Sequence, residues 1–202
     1  MKIICIGRNY RAHAAELNNP IPKYPLVFMK PASALLVNNK PLYYPAFTKE
    51  LHYEAEIVLK ICKNGRHIDP NFASTYYDHI AFGIDFTARD VQQSLKQKGH
   101  PWELSKAFDF SAGLSPFVGI ANLDSSNIHF ELKKNDVVVQ KGNTADLIFD
   151  FNYLIGFISQ YFMLQVGDLI YTGTPAGVGP VQIGDTLDGF IEGEHLISCE
   201  IK

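Results

Sequence analysis

Apolar and polar residues alternate most regularly in His52-Tyr53-Glu54-Ala55-Glu56-Ile57-Val58-Leu59-Lys60-Ile61. Read as a strand, whose successive side chains point to opposite faces, this stretch turns Tyr53, Ala55, Ile57, Leu59 and Ile61 toward a core. Glu54 and Glu56 then share the other face. Two carboxylates side by side on an apolar strand repel, and a hard divalent cation with oxygen ligands is the simplest neutraliser. The competing reading is a pair of solvated glutamates on an edge strand. Exposed acidic residues are common, so the pair alone favours that reading.

The same patterning predicts the remaining elements. Residues 2–6 read as a short buried strand ending at Gly7, and residues 8–16 are alanine-rich and helix-compatible. Asn18-Asn19-Pro20 and Pro22 break that helix. Residues 24–31 form a strand stopped by Pro31, and residues 32–45 continue as short strand-like pieces with turns at Asn38-Asn39 and Pro41. Lys63-Asn64-Gly65-Arg66 suits a hairpin turn. Residues 76–85 make an apolar strand that closes on Asp85. Thr87 and Asp90 then suggest a capping box for a helix running to Lys98, with Gly99 just past its end.

Beyond Pro101, residues 117–120, 128–132 and 137–139 alternate like an antiparallel sheet, and residues 140–144 read as a polar loop. A helix capped by Asp150 follows. Leu154, Phe157, Ile158 and Tyr161 recur at helical spacing and are expected to pack on the sheet. The C-terminal part, with strands near 169–172, 187–191 and 196–201, is all-β with glycine-rich loops.

Composition narrows the class. The chain has 202 residues, the size of one domain, with 47% hydrophobic and 19% charged residues, so it is globular. A net charge of −3 without a Lys/Arg cluster argues against nucleic acid as a partner. Cys5, Cys62 and Cys199 are scattered and lack metal-type spacing, as in a reduced intracellular protein. The first apolar run is broken by Arg8, too early for a secretion signal, and no window is long enough to span a bilayer. A cytoplasmic protein with no membrane partner is expected.

Several side chains are candidates for chemistry. His13 and Glu16 are three apart, so a helix places them on one face, where a carboxylate fixes the imidazole tautomer and raises its basicity. An exposed ion pair is the plainer reading. Lys30 ends an apolar run, either to meet an anion or to reach solvent from a strand end. Asp85, at the end of a buried strand, is costly unless paired or ligated. Arg89 and Gln92 share a helical face beside it, and Lys106 lies between apolar residues. The loop of residues 173–179 is not a phosphate-binding P-loop, because no Gly-Lys-Ser/Thr follows.

Seven separated motifs occur together. They are G-R-N-Y-x-x-H-A-x-E from Gly7, F-x-K-P from Phe28, H-x-E-x-E from His52, D-x-T-A-R-D-x-Q from Asp85, K-x-F-D from Lys106, G-N-T from Gly142, and G-D-L-I-x-T-G-T-P-x-G-V-G-P from Gly167. In order and spacing they resemble the fumarylacetoacetate hydrolase superfamily over nearly the whole chain, most closely its short acylpyruvase and oxaloacetate decarboxylase/tautomerase group. That resemblance implies an α+β, mostly β, mixed β-roll or sandwich with a few peripheral helices, a single catalytic domain over residues 1–202, and a homodimer. It implies Mg²⁺ on Glu54, Glu56 and Asp85, with Mn²⁺ or Ca²⁺ as substitutes. His13 and Glu16 match the catalytic dyad, on a segment that in relatives orders as a lid, and Lys106 matches the lysine beside the metal. Arg8, Lys30, Arg89, Gln92 and Thr174 match positions lining the oxo-acid pocket.

The implied chemistry is an enolate at C3 of a 2-oxo acid, stabilised by a Lewis acid. If His13 activates water against the C4 carbonyl, an acylpyruvate is cleaved, and this Mg-dependent C–C hydrolase is the first expectation. Loss of a C4 carboxylate would make an oxaloacetate decarboxylase. Movement of one proton would make a tautomerase, or an isomerase of the 2-hydroxyhepta-2,4-diene-1,7-dioate type. A non-catalytic oxo-acid binding protein is the remaining alternative.

Overall fold

The computed structural model describes residues 1–17 and 20–202. The first half of the chain carries β1 (Ile3–Gly7), α1 (Arg11–Glu16), β2 (Leu26–Lys30), β3 (Leu35–Leu36), β4 (Leu51–Tyr53), β5 (Ala55–Ile61), β6 (Tyr77–Asp85), β7 (Thr87–Ala88) and α2 (Arg89–Lys98). The second half carries α3 (Glu103–Lys106), β8 (Ala112–Leu114), β9 (Val118–Gly119), β10 (His129–Lys134), β11 (Val137–Asn143), α4 (Phe151–Tyr161), β12 (Leu169–Tyr171), β13 (Gly179–Pro180), β14 (Thr186–Ile191) and β15 (Glu194–Glu200). The fold is mostly β with few helices, as the resemblance implies.

The largest sheet has the order β2-β1-β12-β5-β6-β8-β3, with β9 also pairing β6. It is mixed: β1 runs parallel to β12 and β3 parallel to β8, while the other pairs are antiparallel. A second sheet, β11-β10-β14-β15, packs on it. Phe82 of β6 meets Phe130 of β10 edge to face, with ring centroids 6.3 Å apart. At Gly189 of β14 a Cβ would lie 2.5 Å from the Phe82 ring, so glycine lets the two sheets close on each other. A third, small sheet, β13-β4-β7, sits at one end.

β5 is central, between β12 and β6, and apolar residues cover both its faces. Ile57, Leu59 and Ile61 join the core between the two large sheets. Val58 joins a second cluster with Ile3, Cys5, Ala81 and Tyr171 on the far side. Glu54 and Glu56 are 5% and 2% exposed. The edge-strand reading of this pair is therefore excluded.

Several expectations change in the structure. The strand expected over residues 52–61 is two strands, because the chain leaves the small sheet after Tyr53 and joins the large one at Ala55. No hairpin turn follows Ile61. Instead Gly65 bridges Leu164, and a 3-10 turn over Pro70–Tyr76 leads into β6. Residues 32–45 begin with a 3-10 turn, Ala32–Ala34, rather than a strand. Only residues 11–16 of the expected first helix are helical. The break placed at Asn18 and Asn19 lies outside the described residues.

There is no capping box at Thr87, which belongs to β7. Asp90 instead accepts from Thr48 Oγ1 at 2.5 Å and from the Lys49 N–H at 2.9 Å, tying α2 to the segment before β4. The polar loop at residues 140–143 is the end of β11. Other expectations hold. Gly99 ends α2 with φ of 65°, and the Asp150 carboxylate caps α4 by accepting from the Tyr153 N–H at 2.7 Å. The buried stripe of α4, however, is Phe151, Leu154, Ile155 and Ile158. Phe157 and Tyr161 lie outside it, in an aromatic row with Phe149 and Tyr153.

Candidate active site and metal centre

Strand register gathers the three acids. Glu56 of β5 stands opposite Gly83 of β6, and the Asp85 N–H donates to the Glu54 carbonyl at 2.8 Å, so Asp85 stands opposite Glu54. With a side-chain period of two, all three carboxylates fall on one face. One oxygen from each lies within 4.8 Å of the others, and all three residues are buried. Gly83 has no room for a side chain, since a Cβ there would lie 2.4 Å from Val58 Cγ2 and 2.6 Å from the Tyr171 ring.

Three cations surround this cluster. Lys106 of α3, itself 3% exposed, donates to Glu54 Oε2 and Asp85 Oδ2 at 2.7 Å each and to Thr87 Oγ1 at 2.6 Å. Lys30, at the end of β2, lies 2.7 Å from Asp85 Oδ1 and donates to Ser111 and to the Lys106 carbonyl. Arg89, the first residue of α2, donates to Glu54 Oε1 at 2.5 Å and to Gln92 Oε1 at 2.7 Å. Of the two readings open for Lys30, the structure excludes reach to solvent.

The cations are not shared equally. Burial alone would raise the Glu54 pKa, but Lys106 and Arg89 outweigh it and hold the carboxyl well below the usual range. Burial also acts against the Lys106 ammonium, and Asp85 with Glu54 more than restores it. Among the described residues, Glu56 has no cation at contact distance. Its Oε2 accepts the Gly173 N–H, at 2.7 Å. Burial and the charges of Asp85 and Glu54 therefore push its pKa well up. Positive charge is short at Glu56.

The residues fit a hard divalent cation. The donors are carboxylate oxygens from three separate positions, which suits Mg²⁺, Mn²⁺ or Ca²⁺ over softer metals. Asp85 Oδ1 is buried without a hydrogen bond, because Lys30 Nζ is near it but badly directed. A buried oxygen with unused lone pairs beside an under-neutralised carboxylate is the polarity that a cation satisfies.

α1 brings the predicted dyad over this cluster. His13 is buried and Glu16 exposed, with Nδ1 and Oε2 3.4 Å apart. Glu16 Oε1 also accepts the Gly177 N–H at 3.0 Å, joining α1 to the glycine-rich loop after β12. Burial, helped by Arg89 and Lys106, lowers the His13 pKa despite the pull of Glu54 and Glu16. The imidazole is therefore neutral near pH 7 and able to accept a proton. His52 is likewise pushed down, to about 4, by burial and by Arg89, whose Nε lies 3.5 Å from its Nδ1.

A pocket lies between these groups. Its lining includes Arg8, His13, Glu54, Glu56, Asp85, Arg89, Gln92, Lys106 and Thr174, so every predicted site residue except Glu16 and Lys30 faces it. Those two stand behind it, against His13 and Asp85. Three further residues were not expected. Lys96 lines the pocket from the last turn of α2. Asn9, fully buried, donates to the Phe149 and Thr172 carbonyls at 2.9 and 2.8 Å and accepts from the Phe149 N–H, pinning the strand that leads to Gly173. Gln140 accepts the Ala55 N–H, between the two glutamates, at 2.9 Å and donates to Thr174 Oγ1 at 2.9 Å. The available signal for Asn9 was its place inside the G-R-N-Y motif. Gln140 gave none, because its strand read as a loop.

Comparison with known proteins agrees with this arrangement. Residues 2–202 match the family described as fumarylacetoacetate (FAA) hydrolase C-terminal. The mitochondrial oxaloacetate tautomerase FAHD1 of Arabidopsis thaliana is 42% identical over 202 residues, which cover 100% of this chain and 91% of the relative. The mitochondrial oxaloacetate decarboxylase of Dictyostelium discoideum is 40% identical over 194 residues, covering 95% of this chain and 89% of the relative. A crystal structure of fumarylpyruvate hydrolase from Pseudomonas aeruginosa, in complex with Mn²⁺ and pyruvate, superposes with a TM-score of 0.94 at 35% identity, covering 100% of this chain and 89% of that one. The buried acidic cluster, the β-sandwich that holds it and the length of the match agree: this chain belongs to the fumarylacetoacetate hydrolase family.

Proposed function

We propose that the protein is a divalent-metal-dependent enzyme that moves a proton at C3 of a 2-oxo acid, with the keto–enol tautomerisation of oxaloacetate as its reaction. The observation that carries this is the cage itself: three buried carboxylates within 4.8 Å, framed by Lys30, Lys106 and Arg89. Three negative charges meet three positive ones, so a divalent cation on Glu54, Glu56 and Asp85 would leave the site with a surplus of two positive charges. That surplus suits an anionic substrate. The cation would supply Lewis-acid stabilisation of the negative charge that develops on the keto oxygen. Tautomerase and decarboxylase names among full-length relatives support oxaloacetate as the substrate.

The chain's own groups do the rest. Arg89, held by Glu54, Gln92 and His52, offers the substrate carboxylate a fixed guanidinium at the N-terminus of α2. Thr174, oriented by Gln140, offers a hydroxyl from the opposite wall. Lys106 keeps Glu54 ionised and holds Glu54 and Asp85 in place. His13 is neutral and buried, so it can take the C3 proton and return it to the other tautomer. α1 shields the exchange from bulk water.

Hydrolysis of an acylpyruvate is the second reading, favoured by the His13–Glu16 contact and by the fumarylpyruvate hydrolase likeness. Here His13 would activate a water rather than take the C3 proton. The two are separated by measuring, on protein loaded with Mg²⁺ or Mn²⁺, the decay of enol-oxaloacetate absorbance and the loss of acetylpyruvate. Tautomerisation exceeding hydrolysis by at least about tenfold in kcat/KM supports the first reading. The reverse ratio supports the second, and neither activity would overturn both.

A further inference from the structure

Gln140 belongs to β11, in the second sheet, and is 2% exposed, yet its side-chain amide reaches two walls of the site. β12 pairs with β5 as far as Val58, and beyond that end Gln140 Oε1 accepts the Ala55 N–H at 2.9 Å. Its Nε2 donates to Thr174 Oγ1 at 2.9 Å and to the Pro175 carbonyl at 3.0 Å. The glycine-rich loop comes this close to β11 because Gly177, with φ of 98°, has no side chain. A Cβ there would lie 2.3 Å from the Val139 carbonyl oxygen.

These partners leave the amide a single orientation. A backbone N–H can only donate, so the amide oxygen must face Ala55. A carbonyl can only accept, so the nitrogen must face Pro175 and, with it, Thr174. One amide proton therefore goes to Thr174 Oγ1, and the hydroxyl's own proton has to find a different acceptor. Among the described residues Thr174 Oγ1 donates to none, although Thr174 is buried and lines the pocket. A buried donor left unspent on a pocket wall fits an acceptor oxygen of a bound ligand.

We propose that Gln140 is a positioning residue for the reaction, fixing Thr174 as a hydrogen-bond donor to an anionic oxygen of the 2-oxo acid or its enolate. The proposal rests on the oxo-acid reading above and adds to it a residue that touches neither metal nor substrate. A donor oriented before the substrate arrives stabilises developing negative charge without reorganising during the reaction. The same amide ties that donor to the backbone between Glu54 and Glu56, so the two walls keep one spacing.

Oxalate tests this without turnover, because it is an unreactive planar dianion shaped like the enolate of a 2-oxo acid. Its affinity for Mn²⁺-loaded protein is measured by calorimetry for the wild type, Thr174→Val, Thr174→Ser, Gln140→Glu and the double variant Gln140→Glu/Thr174→Val. Thr174→Val keeps the shape and removes the donor, and about a tenfold loss of affinity is expected. Thr174→Ser should restore most of it. In Gln140→Glu the introduced carboxyl still accepts the Ala55 N–H. Its other oxygen carries at most one proton, which the Pro175 carbonyl takes, so the Thr174 hydroxyl turns to donate to that oxygen and away from the ligand. The loss caused by Gln140→Glu should then be at least about threefold smaller in the Thr174→Val background, whereas the added charge weakens anion binding equally in both. Equal losses in the two backgrounds would overturn the positioning role. Unchanged affinity in Thr174→Val, or a loss as large in Thr174→Ser, would overturn the donor itself, and neither variant depends on Gln140→Glu folding. Each of these results leaves the oxo-acid reading standing. Failure of oxalate to bind the metal-loaded wild type would overturn both.

Discussion

The backbone N–H of Asp85 donates to the carbonyl of Glu54 across 2.8 Å, and that one bond sets two carboxylates of the site directly opposite each other. It forms where β6 ends and where the chain passes from β4 into β5. The acids are thus presented by rigid strand backbone, with Glu56 two residues further on. Such an arrangement holds donors in place before a cation arrives.

Glu56 is the most informative of the three carboxylates to change. Among the described residues it lacks a cation of its own and accepts only from Gly173. Glu56→Gln keeps that acceptor and removes the charge. Mn²⁺ affinity, measured by calorimetry, is expected to fall on the order of a hundredfold. The thermal midpoint of the chelator-treated protein should not fall, because the variant removes repulsion from Asp85 and Glu54.

His13 sets a pH dependence. Burial lowers its pKa, so the neutral, proton-accepting form persists below the ordinary histidine value of about 6.5. In the proposed reaction, protonation of His13 blocks proton transfer. The acid limb of kcat/KM is therefore expected below that value, and it should vanish in His13→Gln along with about 10²- to 10⁴-fold of the rate. An acid limb above the ordinary histidine value would contradict a buried base.

Gly83→Ala probes the packing beneath the site. The added methyl meets Val58 and Tyr171, both fully buried, at less than contact distance. Overpacking of this kind costs about 1–3 kcal/mol, read as a lower denaturant midpoint. The same shift moves β6 against β5, so metal affinity should drop with it.

Asn9→Ala tests the strut behind the glycine-rich loop. The side chain satisfies three backbone groups, and its loss leaves the buried Thr172 carbonyl and both polar groups of Phe149 without it. A loss on the order of 3 kcal/mol in unfolding free energy is expected. Because Thr172 precedes Gly173, the Glu56 contact should loosen as well, and Mn²⁺ affinity should fall in the variant that still folds.

Much of the site was legible because its motifs have rigid local spacing. Glu54 and Glu56 share a strand face whatever the rest of the chain does, and Arg89 with Gln92 shares a helix face. Lys30 and Asp85 each showed as charges at the ends of apolar runs. What periodicity could not show was sheet membership. Tyr53 and Ala55 lie in different sheets although their pattern is continuous, because pairing partners far along the chain, Gly179 and Ile84, decide it. Thr87 read as a helix cap because its hydroxyl partner, Lys106, is distant in sequence. Gln140 and Lys96 were missed for the same reason: a polar side chain in a strand end or a helix tail gains meaning only from what tertiary structure puts beside it.

Hydrogen–deuterium exchange at C3 of oxaloacetate in D₂O, followed by proton NMR, tests the central claim most directly, since it reports proton removal whatever bond is later broken. With Mg²⁺ or Mn²⁺, the wild-type protein is expected to accelerate exchange well beyond the rate with metal alone, and chelation or Glu56→Gln should abolish the acceleration. Exchange at the metal-only rate in the presence of metal-loaded wild-type protein would contradict it.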